Sequence, residues 1–158
     1  MIGLSPQEIN LDVFFTIREL LIFQGGYYGL SIKESKKRVD KILFDLGLEE
    51  KAYSKARELS GGMKRRVQIA KALIHDPEII ILDEPTAGVS PIVMDELFDR
   101  IINVKKTGIA ILMVEQNARQ ALAIADRGFV LVTGQNRFTD SGQVLLANEE
   151  VRRSFLGG

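Results

Sequence analysis

Asp83 and Glu84 stand side by side directly behind four aliphatic residues, Ile79–Ile80–Ile81–Leu82. Two acids in that place are hard to explain by packing. Strands alternate faces, so the two carboxylates point different ways from a sheet edge. One can hold Mg²⁺ while the other faces a water, the division of labour that phosphoryl transfer requires. The plainer alternative is that both acids end the strand and cap the turn behind it. A second group is Leu59–Ser60–Gly61–Gly62–Met63. Ser60 can cap a following helix, and two glycines let a ligand approach the free N–H groups of a helix N-terminus, which binds phosphate. Taken alone, this segment also reads as an ordinary glycine-bearing cap. Glu115–Gln116 closes a further apolar run, Ile109–Val114.

The elements that must position these residues change character near Leu59. Ahead of it the chain reads helical. Thr16 to Tyr28 is apolar-rich, and Ser31 with Glu34 has capping-box spacing. Behind Ser31, Ile32, Val39, Ile42, Leu43 and Leu46 recur at helical spacing until Gly47. After Leu59, strands and helices alternate. Met63 to Ile74 makes a helical stripe ended by Asp76–Pro77, and Ile79–Leu82 is a strand apolar on both faces. Ser90–Pro91 starts a helix that Gly108 ends, and Ile109–Val114 is the next strand. Asn117 caps a helix through Ala125, Phe129–Val132 is a third strand, Gly134–Gln135–Asn136 is a turn, and Gln143 to Leu156 is a helical tail. This order predicts βαβ crossovers and one parallel sheet.

Composition narrows the chemistry. The chain has 158 residues, 46% hydrophobic and 27% charged, enough for a core in one domain. Its 21 basic and 21 acidic residues cancel, which argues against a nucleic-acid partner. Cysteine is absent, excluding disulfides, Cys–zinc sites and a thiol nucleophile. The one histidine, His75, closes a helix and reads as a surface or C-cap residue, and Lys64–Arg65–Arg66 reads as solvated charge, with contact to nucleotide phosphates as the sharper alternative. No apolar run is long enough to span a bilayer, and no basic-then-apolar leader opens the chain; the expectation is a soluble protein of a reducing compartment.

Together and at this spacing, Leu59–Met63, Arg65–Arg66, Ile79–Glu84 and Pro85–Thr86–Ala87–Gly88 resemble the signature and Walker B motifs of ATP-binding cassette (ABC) ATPases. Ser5–Pro6–Gln7 resembles that family's Q-loop, Gly88–Val89–Ser90–Pro91 its D-loop, and Val114–Glu115–Gln116–Asn117 its switch region. The resemblance implies roles residue by residue. Asp83 helps hold Mg²⁺, Glu84 polarises the attacking water, and Gln7 senses the γ-phosphate and the metal and relays this to a membrane partner. Ser60, Gly61 and Gly62 bind the γ-phosphate held by an opposite subunit, because two cassettes of this family sandwich two ATP molecules head to tail. Ser90 lies at that seam, and Gln116 stands where the family commonly has its switch histidine.

Departures accompany the matches. No G-x-x-x-x-G-K-[ST] segment occurs; the glycines at Gly25–Gly26 have no Lys–Ser/Thr behind them. The family places that Walker A loop ahead of the Q-loop, so the resemblance implies that residues 1–158 are a C-terminal piece of a cassette. Met63 replaces a commoner Gln and Ser90 a commoner Asp. Residues up to about Gly88 resemble cassettes of ABC-2 type exporters. From Ser90 on, Val114–Arg119, Ala125–Gly128 and Phe155–Gly158 resemble cassettes of branched-chain amino-acid importers.

The expected fold is α/β: a partial P-loop NTPase-like parallel sheet with flanking helices (about residues 75–158) plus an α-helical subdomain bearing the signature helix (about residues 11–74). The expected function is that of an ATP-binding and hydrolysing fragment of an ABC transporter. Its parent uses ATP and Mg²⁺, pairs with a second ATPase subunit and with transmembrane subunits, and lies in the cytoplasm against the inner face of the membrane. The rival is a non-catalytic fragment that dimerises or docks. Missing Walker A, the piece is expected to self-associate. A cassette of DNA repair or translation is a third class, but its long coiled-coil or linker insertions are not visible here.

Overall fold

The structure is a computed structural model and describes residues 1–155. It divides into two compact units, Met1–Val114 and Glu115–Gly158. The segment Leu156–Gly158, which closes the importer-like ending and the predicted helical tail, lies outside the described residues.

The first unit is built on a three-stranded parallel sheet in the order β1 (Ile2–Ser5), β2 (Ile79–Asp83), β3 (Ala110–Val114). The β-branched run of β2 takes the centre, where both edges are paired. Ser5 faces Leu82, and Asp83 faces Val114. β1 had no signal in the sequence: four residues are too few for a period to show. Helix α1 (Ile17–Tyr27) starts in a reciprocal capping box between Thr16 and Glu19. Helix α2 (Ile32–Asp45) starts at Ser31, whose hydroxyl accepts from the Glu34 N–H. Its buried stripe is Val39, Ile42 and Leu43, continued by Leu46, whereas Ile32 in the first turn is exposed. Helix α3 (Gly61–Leu73) packs on β1 and β2 and touches α1, α2 and α4 (Pro91–Lys106). Its approach to β1 is close enough that a Cβ on Gly3 would lie 2.2 Å from the Ala72 carbonyl oxygen.

The second unit corrects one expectation. The strand predicted to extend the parallel sheet is β4 (Gly128–Val132), and it pairs antiparallel with β5 (Gln135–Asp140) in a sheet of its own. The two residues between them, Thr133 and Gly134, have φ of 47° and 79°. Two positive φ values in a two-residue loop make the turn whose twist suits a hairpin. Gln135 and Asn136 therefore belong to a strand and not to the turn. Helices α5 (Ala118–Ile124), α6 (Gly142–Ala147) and α7 (Glu149–Phe155) complete the unit. Gly128 and Gly142 let α5 and α6 close up, since a Cβ on Gly142 would meet the Leu122 carbonyl oxygen at 2.0 Å. Among the described residues no helix is long and apolar enough to cross a membrane.

Candidate functional site

Parallel strands with Ser5 opposite Leu82 bring their carboxyl ends to one edge of the sheet, the edge at which α/β sheets bind ligands. Gln7 lies two residues beyond Ser5, and Glu84 two residues beyond Leu82. The register therefore makes them meet: Gln7 Nε2 donates to Glu84 Oε2 at 2.7 Å across 77 positions of chain. Glu84 sits at φ 42°, where residues other than glycine are uncommon. Both its backbone groups are fastened. Its N–H donates to the Val114 carbonyl at 2.9 Å, and its carbonyl accepts from the Ala87 N–H at 3.0 Å. Asp83, one residue earlier, ends β2 on the face shared with Ile79 and Ile81.

The loop that carries Gln7 is held from below by α3. Gln68 Nε2 donates to the carbonyls of Pro6 at 2.7 Å and Glu8 at 2.6 Å. One terminal nitrogen of Arg65 donates to the Gln7 carbonyl, and the other to the Ala87 carbonyl at 3.1 Å. Lys71 Nζ reaches the Asn10 carbonyl at 3.3 Å, and burial lowers its pKa. Arg66 donates to the carbonyl of Leu46 at 3.3 Å and lies 3.8 Å from a Glu96 carboxylate oxygen. The expectation of solvated charge at residues 64–66 thus fails for Arg65 and Arg66, both buried. Sequence reasoning missed Arg65, Gln68 and Lys71 as a group; their spacing of three residues along one helix was the available signal.

The N-terminus of α3 is a second cluster. Ser60 Oγ accepts from the Met63 N–H at 3.3 Å. The two glycines behind it differ. Gly61 faces open space, so its backbone is approachable. Gly62 is buried, and a Cβ there would lie 2.1 Å from Val93 Cγ1, so its small size serves the packing of α3 on α4. Ser90 is the exposed N-cap of α4, and its side chain makes no capping bond. Gln116 belongs to the second unit; it is exposed, and its N–H donates to Glu115 Oε1 at 2.8 Å. Thus Gln7, Asp83 and Glu84 share the sheet edge, Ser60 and Gly61 lie at the N-terminus of α3, Ser90 lies at that of α4, and Gln116 belongs to the second unit.

His75 is likewise not a surface residue. It is 3% exposed, stacks on Tyr28 at 4.0 Å between ring centroids, and places Nε2 3.2 Å from the Ile2 carbonyl oxygen. Its Nδ1 is buried without a partner, and burial holds its pKa below the usual histidine range.

Among the described residues no group of three or more His, Cys, Asp or Glu side chains could hold a metal. The sheet-edge donors suit a different arrangement. Mg²⁺ at phosphate sites takes one or two carboxylates and completes its shell with phosphate oxygens and water. Asp83 is one such carboxylate, and the Gln7 amide, donating through Nε2 to Glu84, keeps its Oε1 for a cation.

The ABC transporter family profile matches residues 1–87. The Nod factor export ATP-binding protein I of Mesorhizobium japonicum is 37% identical over 150 residues, covering 95% of this chain and 44% of that protein. The high-affinity branched-chain amino acid transport ATP-binding protein BraG of Pseudomonas aeruginosa is 36% identical over 158 residues, covering 99% of this chain and 67% of that protein. Both kinds of relative thus align along nearly the whole chain, although the chain spans only about half the length of the Nod factor protein. Among solved structures, cbiO1 from Clostridium perfringens, part of the ABC transporter complex cbiONQ, superposes with a TM-score of 0.86 at 30% identity, covering 96% of this chain and 61% of that one.

Proposed function

The chain belongs to the ABC transporter family of ATP-binding proteins, and from that membership we propose that it supplies the hydrolytic edge and the signature helix of a transport ATPase. The observation that carries this reading is the Gln7–Glu84 hydrogen bond, which joins two strand ends beside Asp83. The proposed division keeps about residues 11–74 as the helical subdomain and about 75–158 as the partial catalytic core. In the parent, MgATP supplies the phosphoryl group, and the metal neutralises charge on the phosphates. Asp83 offers that metal a carboxylate. Glu84 orients a water for in-line attack, and Gln7 holds Glu84 in place until nucleotide arrives. Ser60 and the Gly61 N–H face the nucleotide of a second ATPase subunit, Ser90 lies at that seam, and Gln116 takes the switch position. Ile9, Val13, Phe14 and Phe15, exposed just beyond Gln7, and Phe23 of α1, 4.7 Å from Phe15 between ring centroids, supply an apolar face for a transmembrane subunit, which would set the protein against the inner side of a membrane.

A second reading is that the chain by itself is a non-catalytic fragment that self-associates, and the missing G-x-x-x-x-G-K-[ST] segment favours it. Without a lysine and a cradle of backbone N–H groups on the β- and γ-phosphates, Glu84 has no positioned phosphorus to direct water at. That positioning is worth roughly 7–11 kcal/mol of barrier. The purified chain is expected to show no turnover above a Glu84→Gln control and no micromolar MgATP binding by calorimetry. Fused behind the N-terminal part of the Nod factor relative, it is expected to hydrolyse MgATP, with activity lost in Glu84→Gln. A folded fusion that stays inactive refutes the transport-ATPase reading.

A further inference from the structure

Four carbonyls within residues 6–10, those of Pro6, Gln7, Glu8 and Asn10, accept from side chains of α3. Such a loop is ordinarily solvated through its carbonyls. Here those groups are turned inward, which leaves the Gln7 side chain on the outside, facing Glu84. Building on the reading above, we propose that Arg65 and Gln68 are positioning residues for the Gln7–Glu84 pair: they fix the distance between the loop after β1 and the turn after β2.

The bonding pattern is specific to that task. The single amide nitrogen of Gln68 contacts the carbonyls on both sides of Gln7, so each of its two hydrogens has a target. The two terminal nitrogens of Arg65 divide their work. One takes the Gln7 carbonyl and the other the Ala87 carbonyl. Ala87 in turn donates its N–H to the Glu84 carbonyl, and the Gln7–Glu84 side-chain bond closes the ring. The loop of Gln7 and the turn of Glu84 are therefore joined twice, once through the guanidinium and once through the functional pair. Arg65 and Gln68 are 7% and 4% exposed. A buried charged donor adds little stability over a well-packed apolar side chain, whereas a planar fork with two fixed donors holds two loops at one separation. Lysine, a point charge on a flexible stem, serves one carbonyl at a time. Ser60, the cap of the same helix, lies five residues from Arg65, roughly 7 Å along the axis. The rod that holds Gln7 in place is thus the one whose N-terminus carries Ser60 and Gly61.

The test is NMR on the full chain labelled with ¹⁵N at glutamine, at one fixed pH. The Gln7 side-chain amide is identified by its loss in Gln7→Leu. Its resonance is expected to move in Glu84→Ala, which removes its hydrogen-bond partner; that movement is the coupled shift. In Arg65→Met the coupled shift should vanish while the other glutamine amides keep their positions. Arg65→Lys should keep part of it. A folded Arg65→Met chain whose Gln7 amide still responds to Glu84→Ala overturns the proposal, whatever its melting temperature. Should Arg65→Met fail to fold, Gln68→Met and Arg65→Lys carry the same test, and an undiminished coupled shift in both overturns it. No nucleotide enters the experiment. Inactivity of the fusion with the Nod factor relative, alongside a coupled shift lost in Arg65→Met, refutes the ATPase reading and leaves the positioning role standing.

Discussion

The three-stranded sheet has two faces of similar composition and opposite fate. On one, Gly3, Ser5, Ile80 and Leu82 are buried, with Ile80 and Leu82 at 0% exposure. On the other, Ile2 is 62%, Leu4 60%, Leu112 53% and Val114 56% exposed. The register places Ile2 beside Ile79 and Ala110, and Leu4 beside Ile81 and Leu112, so the exposed side chains form one continuous apolar surface. Parallel strands carry apolar residues on both faces because such sheets are covered on both sides. The residues of the strands state that requirement; where α3 lies decides which side it meets.

Deleting the same side chain on each face separates the two. Leu82→Ala should cost about 2–5 kcal/mol, because its cavity cannot collapse against α3. Leu112→Ala should stay within about 0.5 kcal/mol. Urea unfolding of both variants checks the pair, and equal losses would mean that the second face is covered in solution.

A smaller effect is expected for Gly3→Ala. The new methyl would press on the Ala72 carbonyl from the buried side, and overpacking of that kind costs typically 1–3 kcal/mol. Thermal melting read against Leu4→Ala, on the open face, measures the difference in crowding.

Next comes pH. His75 ties the covered side to β1 through the Ile2 carbonyl, and burial depresses its folded pKa. A base with a depressed folded pKa binds more protons when unfolded. Its contribution is complete above the usual histidine value and is lost as pH falls from there towards the folded pKa, with a slope of at most about 1.4 kcal/mol per pH unit. Unfolding midpoints at pH 7.5 and 5.5 should therefore converge in His75→Gln relative to the parent chain. Parallel losses in both would remove His75 as the cause.

The smallest change in stability is expected for Leu112→Lys on the open face and free edge of β3. Its consequence is association. Light scattering of the parent chain should give a mass that rises with concentration, and the lysine variant a mass nearer the monomer's. A concentration-independent monomer for the parent chain would show that the open face is tolerated in water.

Much of the candidate site was legible because short motifs dictate local geometry. An aliphatic run followed by Asp83–Glu84 is a strand with acids at its end, and Ser60 ahead of two glycines is a helix start. What the two glycines do was not legible. Gly61 and Gly62 look alike in sequence, and only Val93 of α4 separates an open backbone from a packing contact. Arg65 and Arg66 look like solvated charge next to Lys64. Their burial depends on carbonyls 58 and 20 positions away, at Gln7 and Leu46.

The sequence by itself determined the local units: the caps at Ser31 and Ser60, the stripe of α2, the apolar strand β2 and the acids behind it. These rest on spacing and hydrogen bonds within a few residues, which the chain carries wherever it folds. Tertiary structure alone decided the rest. It recruited the four-residue β1 beside β2, and with it Gln7 beside Glu84. It sent Phe129–Val132 into a hairpin with β5 and not into the parallel sheet. It buried His75, Arg65 and Gln68, and left Leu112 and Val114 in water. Each of these outcomes depends on which distant backbone groups and helices supply the partner, and a side chain's own type and spacing carry no record of that.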